Sequence, residues 1–271
     1  MDAVASTCSA GRKHANAMQC GAALPHETAM TGVISAAIFD VDGVLIDSPH
    51  ERAWREALAG FTDPAQFTTA FYEAHVAGKP RLDGARAALE CLGTPDAATR
   101  ATEYSQLKQA RIEKLIEQGS FAAFPDAVRL AAALHAAGLK LALASSSKNA
   151  EAMLRQLKLP NGAALLSIFD ADLSGREVPH GKPDPTLFLL AAEALRVPPV
   201  YCMVVEDAPS GVQAARAAGM AALAIARLHD EALLRAAGAD LVLTSLDLLD
   251  IPALATGAVR ARPMPEALCH A

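Results

Sequence analysis

The chain is poor in aromatic side chains, which make up 4% of its 271 residues, although 52% of the residues are hydrophobic. Alanine is abundant instead, so we expect closely packed helices rather than large aromatic clusters. Apolar runs of the roughly 18 residues that a membrane span needs are absent as well. The composition predicts a soluble globular protein of the cytoplasm, with one large domain or two modest ones.

The chain has few cysteines, and its basic side chains are outnumbered by acidic ones. The cysteines are odd in number and form no CxxC pair: Cys8, Cys20, Cys91, Cys202 and Cys269. Such a set fits free thiols in a reducing compartment better than a disulfide framework or a zinc site. The net charge of -6 argues against a general nucleic-acid binder, which would carry a basic surface. We expect a monomer with a small-molecule partner, and neither nucleic acid nor membrane.

Hydrophobic periodicity predicts an α/β fold that is interrupted by helices. Residues 33–39 form an apolar run typical of a buried strand, whereas residues 50–118 show helical periodicity. From residue 125 onwards strands and helices alternate, which favours a doubly wound (Rossmann-like) parallel sheet. The predicted boundaries are a disordered tail at 1–30, a core at 31–48 and 121–250, an all-helical cap domain at 49–120, and a C-terminal tail at 251–271.

Polar clusters follow three of the predicted strands. Asp40 and Asp42 follow the first, three serines beginning at Ser145 follow the second, and Glu206 with Asp207 follows a later one. A lysine lies in the loop GKPDP. Ligands of parallel α/β sheets bind at the carboxyl ends of the strands, so we expect these groups to converge.

Converging carboxylates repel one another, and a hard divalent cation such as Mg²⁺ relieves that repulsion. Serine hydroxyls, a lysine, and the amides of the helix that SSSKN begins are the groups that a phosphate needs. The set therefore predicts phosphoryl transfer, in which one aspartate attacks phosphorus and the other moves a proton.

Each cluster has an ordinary structural explanation too. Asp-x-Asp-Gly can be a turn, the serines or Glu206 and Asp207 can cap helices, and Lys182 can be solvated. A calcium loop is excluded, because Val44 stands where an oxygen ligand is required and Leu45 stands where such a loop needs glycine. The order of the clusters, each at a strand end, favours an active site.

The clusters resemble, in order, the four motifs of the haloacid dehalogenase (HAD) superfamily: FDVDGVLIDS, LALASSS, GKPDP and VVEDAPSGVQAARAAGM. The resemblance implies that Asp40 is the nucleophile and Asp42 the general acid–base. It implies that Ser145 and Lys182 hold the transferring phosphoryl group. It also implies a Mg²⁺ site with these ligands: Asp40, the carbonyl group of Asp42, Glu206 and Asp207.

The predicted cap resembles that of the β-phosphoglucomutase-like subgroup. HERAW matches the His-xxx-Trp element of that subgroup, and GKPR matches the loop whose arginine binds a distal phosphate. SSSKN is close to its Ser-Ala-Ser-Lys-Asn run. LKQARI carries a lysine at the place where a cap lysine of the subgroup contacts the sugar phosphate. The implied substrate-binding residues are His50, Trp54, Gly78, Arg81, Lys108, Ser145, Ser146, Ser147, Lys148 and Asn149. One departure is the link from Asp47 to His50, which is two residues shorter than in the mutases of this subgroup. The shorter link predicts that His50 does not reach Asp42.

The cap residues also have ordinary explanations: Trp54 can be core packing, His50 an early helix residue, and Arg81 and Lys108 solvated charges. The resemblance implies an isomerase of β-glucose 1-phosphate and glucose 6-phosphate, with Mg²⁺ and with β-glucose 1,6-bisphosphate as activator and intermediate. The alternative is a sugar-phosphate phosphatase. A non-catalytic sensor of sugar phosphates would be expected to lack one of the two aspartates.

Overall fold

The computed structural model describes residues 32–77 and 79–263. The predicted tail at 1–30 and Gly78, one of the predicted substrate-binding residues, lie outside the described residues. The strands are β1 (Ala36–Phe39), β2 (Ile46–Asp47), β3 (Ala122–Ala123), β4 (Lys140–Leu143), β5 (Ala171–Asp172), β6 (Cys202–Glu206), β7 (Ala221–Ile225) and β8 (Leu241–Leu243). The α-helices are α1 (His50–Ala57), α2 (Thr69–His75), α3 (Arg81–Cys91), α4 (Ala97–Glu117), α5 (Pro125–Ala136), α6 (Ala150–Leu154), α7 (Thr186–Leu195), α8 (Pro209–Ala217), α9 (Glu231–Ala236) and α10 (Ile251–Leu254).

Six strands form one parallel sheet in the order β5-β4-β1-β6-β7-β8. The central strand β1 pairs with β4 on one side and β6 on the other, so Ala36 lies opposite both Lys140 and Cys202. Every residue of β1 and β6 is buried, as parallel strands covered on both faces require. The predicted doubly wound α/β fold is confirmed, and the carboxyl ends of β1, β4 and β6 lie at the same edge.

The two faces of the sheet carry separate apolar clusters, because side chains alternate along each strand. Ala37 and Phe39 of β1 face the cluster that includes residues of α5, and Phe39 meets the Phe169 ring edge-on, with 5.9 Å between centroids. Ala36 and Ile38 face the cluster that includes residues of α7 and α8. Packing on both faces fixes β1, and with it the position of the residue that follows.

We call helices α1 to α4 (residues 50–117) the helical insertion. The antiparallel strands β2 and β3 connect this insertion to the core. The N–H of Phe124 donates to the carbonyl oxygen of Leu45 at 2.9 Å, so the outgoing and returning links run side by side. The insertion has its own apolar cluster, which includes Trp54, Phe67 and Tyr104. The boundaries of a separate cap domain stay a prediction.

Residues 251–263, which are part of the predicted C-terminal tail, are joined to the core by backbone hydrogen bonds and by buried side chains. Leu254 is buried, and its carbonyl oxygen accepts from the N–H of Ile34 at 3.0 Å. Further on, the N–H of Arg262 donates to the carbonyl oxygen of Leu248 at 2.7 Å. Within the described part of the chain, no helix has both the length and the apolar character needed to cross a bilayer.

Candidate active site

Three carboxyl groups meet where β1 and β6 end. Asp40 follows β1, Glu206 is the last residue of β6 and Asp207 comes next, and one oxygen of each lies within 4.8 Å of the others. Asp40 is 7% exposed and Glu206 only 1%. Burial, together with the neighbouring carboxylates, raises the pKa of Asp40 to about 7 and that of Asp207 well above its ordinary value. A cation would stabilise this arrangement.

Lys182 is the basic side chain that faces this cluster. Its Nζ donates to Asp40 Oδ1 at 2.7 Å and also to Glu206 Oε1. Burial by itself would lower the pKa of Lys182, but the two carboxylates outweigh burial and raise it. The second oxygen of Glu206 accepts from the N–H groups of Asp207 and Ala208, at 2.8 and 3.0 Å. Both oxygens of Glu206 are therefore held in place.

Two glycines allow the carboxylates to come this close to the backbone. A β-carbon on Gly43 would overlap the carboxylate of Asp207, and one on Gly211 would overlap that of Glu206. Gly43 also has φ of 81°, a conformation that other residues rarely adopt. The glycines of DVDG and EDAPSG are therefore required by the packing of the site itself.

Asp42 lies in the turn after β1, next to the helical insertion. Its Oδ1 is buried and has no hydrogen-bond partner among the described residues. The Nε2 atom of His50, the first residue of α1, lies 3.6 Å from that oxygen. His50 thus reaches Asp42 despite the shortened link from Asp47, because α1 begins close to the turn.

His50 connects the insertion with the core. Its Nε2 lies 3.3 Å from Ser147 Oγ, and its Nδ1 lies 2.8 Å from Lys108 Nζ. Burial lowers the pKa of His50 to about 4, assisted by the charge of Lys108, whose own pKa burial lowers to about 8. At neutral pH the ring is therefore uncharged. Because an ammonium group can only donate, Nδ1 accepts and Nε2 carries the proton towards Ser147 and Asp42.

The serine segment after β4 divides into buried and exposed residues. Ser145 is 2% exposed, and its Oγ accepts from the N–H of Ser147 at 3.1 Å. Asn149 is half-buried and faces the insertion. Ser146 and Lys148 are exposed, and Lys148 pairs with Glu177 at 2.5 Å. Ser145, Ser147 and Asn149 are therefore at least partly buried, whereas the side chains of Ser146 and Lys148 are exposed, and a substrate-binding role for these two residues stays a prediction.

Trp54 belongs to the apolar cluster of the insertion. It is 4% exposed, its ring centroid lies 5.1 Å from that of Tyr104, and its carbonyl oxygen accepts from the Tyr104 hydroxyl at 2.9 Å. Lys108 Nζ lies 5.2 Å from the Trp54 ring centroid. Packing therefore explains Trp54 in this structure, and its connection to the site runs through Lys108.

Arg81 begins α3 at the surface of the insertion, and its guanidinium donates to Gln109 Oε1. The amide of Gln109 donates in turn to Asn149 Oδ1 at 2.9 Å, across the boundary between insertion and core. Gln109 is a bridging residue that sequence reasoning missed. A neutral amide gives no signal of its own, and its only hint was its position next to Lys108 in LKQARI.

A family model described as haloacid dehalogenase-like hydrolase matches residues 34–219. The chain is similar to the β-phosphoglucomutase of Mycobacterium tuberculosis, with 34% identity over 242 residues that cover 79% of this chain and 90% of the relative. It is also similar to the phosphorylated carbohydrates phosphatase of Thermotoga maritima, with 29% identity over 223 residues that cover 80% and 98%.

A third relative is a far longer protein. Protein SUPPRESSOR OF QUENCHING 1 of Arabidopsis thaliana is 34% identical over 230 residues, which are 83% of this chain but only 21% of that protein.

Among solved structures, an archaeal β-phosphoglucomutase from Pyrococcus superimposes with a TM-score of 0.66 at 33% identity, covering 82% of this chain and 99% of the other. The chain belongs to the haloacid dehalogenase-like hydrolase family and, within it, to the β-phosphoglucomutase-like proteins.

Proposed function

We propose that this enzyme moves the phosphoryl group of a sugar phosphate by way of an aspartyl phosphate on Asp40. We further propose that it is a β-phosphoglucomutase, which interconverts β-glucose 1-phosphate and glucose 6-phosphate. Relatives of that name at 34% identity support the proposal. The support from the structure comes from the carboxylate cluster and from the basic groups of the helical insertion.

The carboxylate cluster fits a magnesium ion. Mg²⁺ prefers oxygen ligands, and oxygens of Asp40, Glu206 and Asp207 lie within 4.8 Å of one another. The raised pKa values of Asp40 and Asp207 indicate a site that favours added positive charge. The ligands would be these three side chains and the carbonyl group of Asp42. When bound, the ion supplies positive charge that offsets the carboxylates and the phosphate oxygens.

In the first half-reaction, an oxygen of Asp40 forms a bond to phosphorus while the bond from phosphorus to the sugar oxygen breaks. Lys182 and Ser145 hold the phosphoryl oxygens, and the departing sugar oxygen takes the proton of Asp42. In the second half-reaction, a sugar hydroxyl attacks the same phosphorus and gives its proton to Asp42. The carboxylate of Asp40 is then released, so the enzyme returns to its starting state.

The observation that carries the mutase assignment is the bridge from Arg81 through Gln109 to Asn149. A mutase must hold a bisphosphate with one phosphate at Asp40 and the other outside the catalytic cluster. Arg81 supplies a cation on the insertion, and Asn149 lies on the loop that also carries Ser145. A phosphate that bound between them would join insertion to core and exclude water, as closing lids do.

The test is an assay with two readouts, using Mg²⁺, β-glucose 1-phosphate and a trace of β-glucose 1,6-bisphosphate. One readout follows glucose 6-phosphate through a coupled dehydrogenase, and the other follows free phosphate. Formation of glucose 6-phosphate without phosphate release is the expected result. The Asp40→Asn variant serves as the blank, because it lacks the nucleophile that both reactions need.

A sugar-phosphate phosphatase is the second candidate, favoured by the Thermotoga maritima relative, of which the matched residues cover 98%. Both reactions share the same aspartyl phosphate and differ only in whether water or a sugar hydroxyl attacks it. Phosphate release without glucose 6-phosphate would select the phosphatase and remove the mutase proposal. Loss of both products would contradict sugar-phosphate turnover of either kind.

A further inference from the structure

The side chain of Arg227 reaches from the end of β7 to the turn that follows Asp42. Its Nε donates to the carbonyl oxygen of Gly43 at 3.3 Å, and its Nη2 donates to that of Val44 at 3.2 Å. A planar guanidinium that binds two successive carbonyls fixes the orientation of the peptide between them. Arg227 therefore holds the backbone immediately after Asp42.

Arg227 is itself held on its other side by Asp126, the second residue of α5. Its Nη1 and Nη2 donate to the two carboxylate oxygens, each at 3.0 Å. The side chains of Arg227 and Asp126 are only 17% and 10% exposed, and Asp126 also accepts from the N–H of Leu246 at 3.0 Å. The guanidinium therefore has little freedom to turn away from the two carbonyls.

The link that returns from the helical insertion meets the same guanidinium. The Cζ atom of Arg227 lies 3.9 Å from the ring centroid of Phe124, which is close enough for a cation–π contact. Phe124 is in turn tied by its N–H to the carbonyl oxygen of Leu45. The outgoing and returning links of the insertion are thus fixed at one point of the core.

The turn that Arg227 holds touches the carboxylate cluster directly. Gly43 is packed so closely against the carboxylate of Asp207 that a β-carbon would overlap it. Asp42 precedes Gly43 in the chain, and its Oδ1 has no hydrogen-bond partner among the described residues that would hold it independently. A shift of the Gly43 carbonyl would therefore move Asp42 relative to Asp40.

We propose that Arg227 is a positioning residue, which places Asp42 for proton transfer by holding the carbonyl groups of Gly43 and Val44. The inference rests on the proposed acid–base role of Asp42. Its consequence is specific: weakening the hold of Arg227 slows the attack by Asp40 most when the leaving oxygen is strongly basic and needs a proton. An ester with a weakly basic leaving group is affected much less.

The experiment compares kcat/KM for phenyl phosphate and p-nitrophenyl phosphate, two small esters that differ mainly in the basicity of the leaving oxygen. This constant reports the steps up to the aspartyl phosphate, so slow hydrolysis of that intermediate does not mask the effect. In Arg227→Lys we expect kcat/KM to fall about tenfold more for phenyl phosphate than for p-nitrophenyl phosphate, since acid–base assistance is worth roughly 10²–10⁴-fold when complete.

The matched control is Arg129→Lys. Arg129 lies on α5 and makes a two-pronged pair with Asp247, at 2.9 and 2.6 Å, away from the turn after Asp42. It tests whether weakening an arginine–aspartate pair on this helix is enough to alter the reaction. The ratio of the two kcat/KM values should stay at its wild-type value in this variant.

A ratio of the two kcat/KM values that stays at its wild-type value in Arg227→Lys, whether both esters lose activity equally or neither does, would overturn the positioning role. If that variant does not fold, Asp126→Asn with Arg227→Gln removes both charges together and should shift the ratio in the same direction. Failure of the proposed function looks different. If the wild-type enzyme forms no aspartyl phosphate from either ester, the role of Asp42 falls and the inference about Arg227 falls with it.

Discussion

The carboxyl edge of the sheet and the face of the helical insertion contribute to one site, but they are built differently. At the sheet edge, Asp40 and Glu206 are almost fully buried and are held by strands that pair along their whole length. On the insertion, Arg81 is exposed and Gln109 half-buried, and both act through long side chains. The contacts from insertion to core at this site join side chains, as in the pair of Gln109 and Asn149 at 2.9 Å.

Under the proposed function, this difference separates the chemistry from the recognition of substrate. Groups that must attack phosphorus need fixed positions, and a central parallel strand packed on both faces provides them. In the proposed function, the groups that recognise the rest of the substrate are on the helical insertion, whose contacts with the core at this site are made by side chains. Variants at the sheet edge should therefore affect every substrate, whereas variants of the insertion should affect sugar phosphates selectively.

The largest expected effect is that of Asp40→Asn at the sheet edge. The amide cannot act as nucleophile, so we expect no phosphoenzyme and a loss of about 10⁴-fold or more with every ester. Acid-quenched enzyme mixed with a radiolabelled phosphate ester reports the covalent intermediate directly. Asp83→Asn, an exposed carboxylate on α3, is the control and should keep full labelling. A labelled Asp40→Asn variant would break the distinction between the two regions.

The second prediction concerns Arg81→Ala on the insertion. Loss of a charge-assisted phosphate contact should reduce mutase turnover about 10- to 100-fold, while hydrolysis of p-nitrophenyl phosphate changes less than about threefold. Arg86→Ala, an exposed arginine of the same helix, is the matched control. Equal losses in both reactions would show that Arg81 does not bind a distal phosphate.

A smaller effect is expected from pH, because burial lowers the pKa of Lys108 to about 8. Below that pH the ammonium donates to His50 Nδ1; as the pH rises through 8 the charge is lost and this hydrogen bond loses its charge assistance. We expect kcat/KM for the sugar phosphate to fall about 3- to 10-fold between pH 7 and 9. Lys108→Arg should not show this fall, whereas Lys114→Met, exposed on the same helix, should retain it. A fall that persists in Lys108→Arg would assign the titration to another group.

The smallest expected effect is that of Tyr104→Phe inside the insertion. The hydroxyl donates to the carbonyl oxygen of Trp54 at 2.9 Å in a buried setting, so its loss should cost about 0.5–1.5 kcal/mol of folding free energy. Urea unfolding measures this cost, and Tyr201→Phe, at a partly exposed site on the core, should change stability less. Turnover of p-nitrophenyl phosphate should stay within about twofold of wild type. A large loss of that activity would mean that the insertion takes part in the chemistry.

The core of the site could be predicted from the sequence because each of its groups directly follows a strand or stands in a short motif. Asp40 and Glu206 lie at the ends of apolar runs, and parallel strands end at the same edge. The exposure of Ser146 and Lys148 could not be predicted in this way. Alternate residues of a short loop differ in orientation, and the family motif does not show which ones turn outward.

Sequence patterns by themselves determined the α/β class, the central strand and the carboxylates that follow the strands, since these depend on local periodicity and on neighbouring residues. Only the tertiary structure decided which distant side chains meet. His50 beside Ser147, Gln109 between Arg81 and Asn149, and Arg227 on the carbonyl of Gly43 all join segments far apart in the chain. Such contacts depend on helix packing and on the folding back of the insertion, which no local pattern of residues encodes.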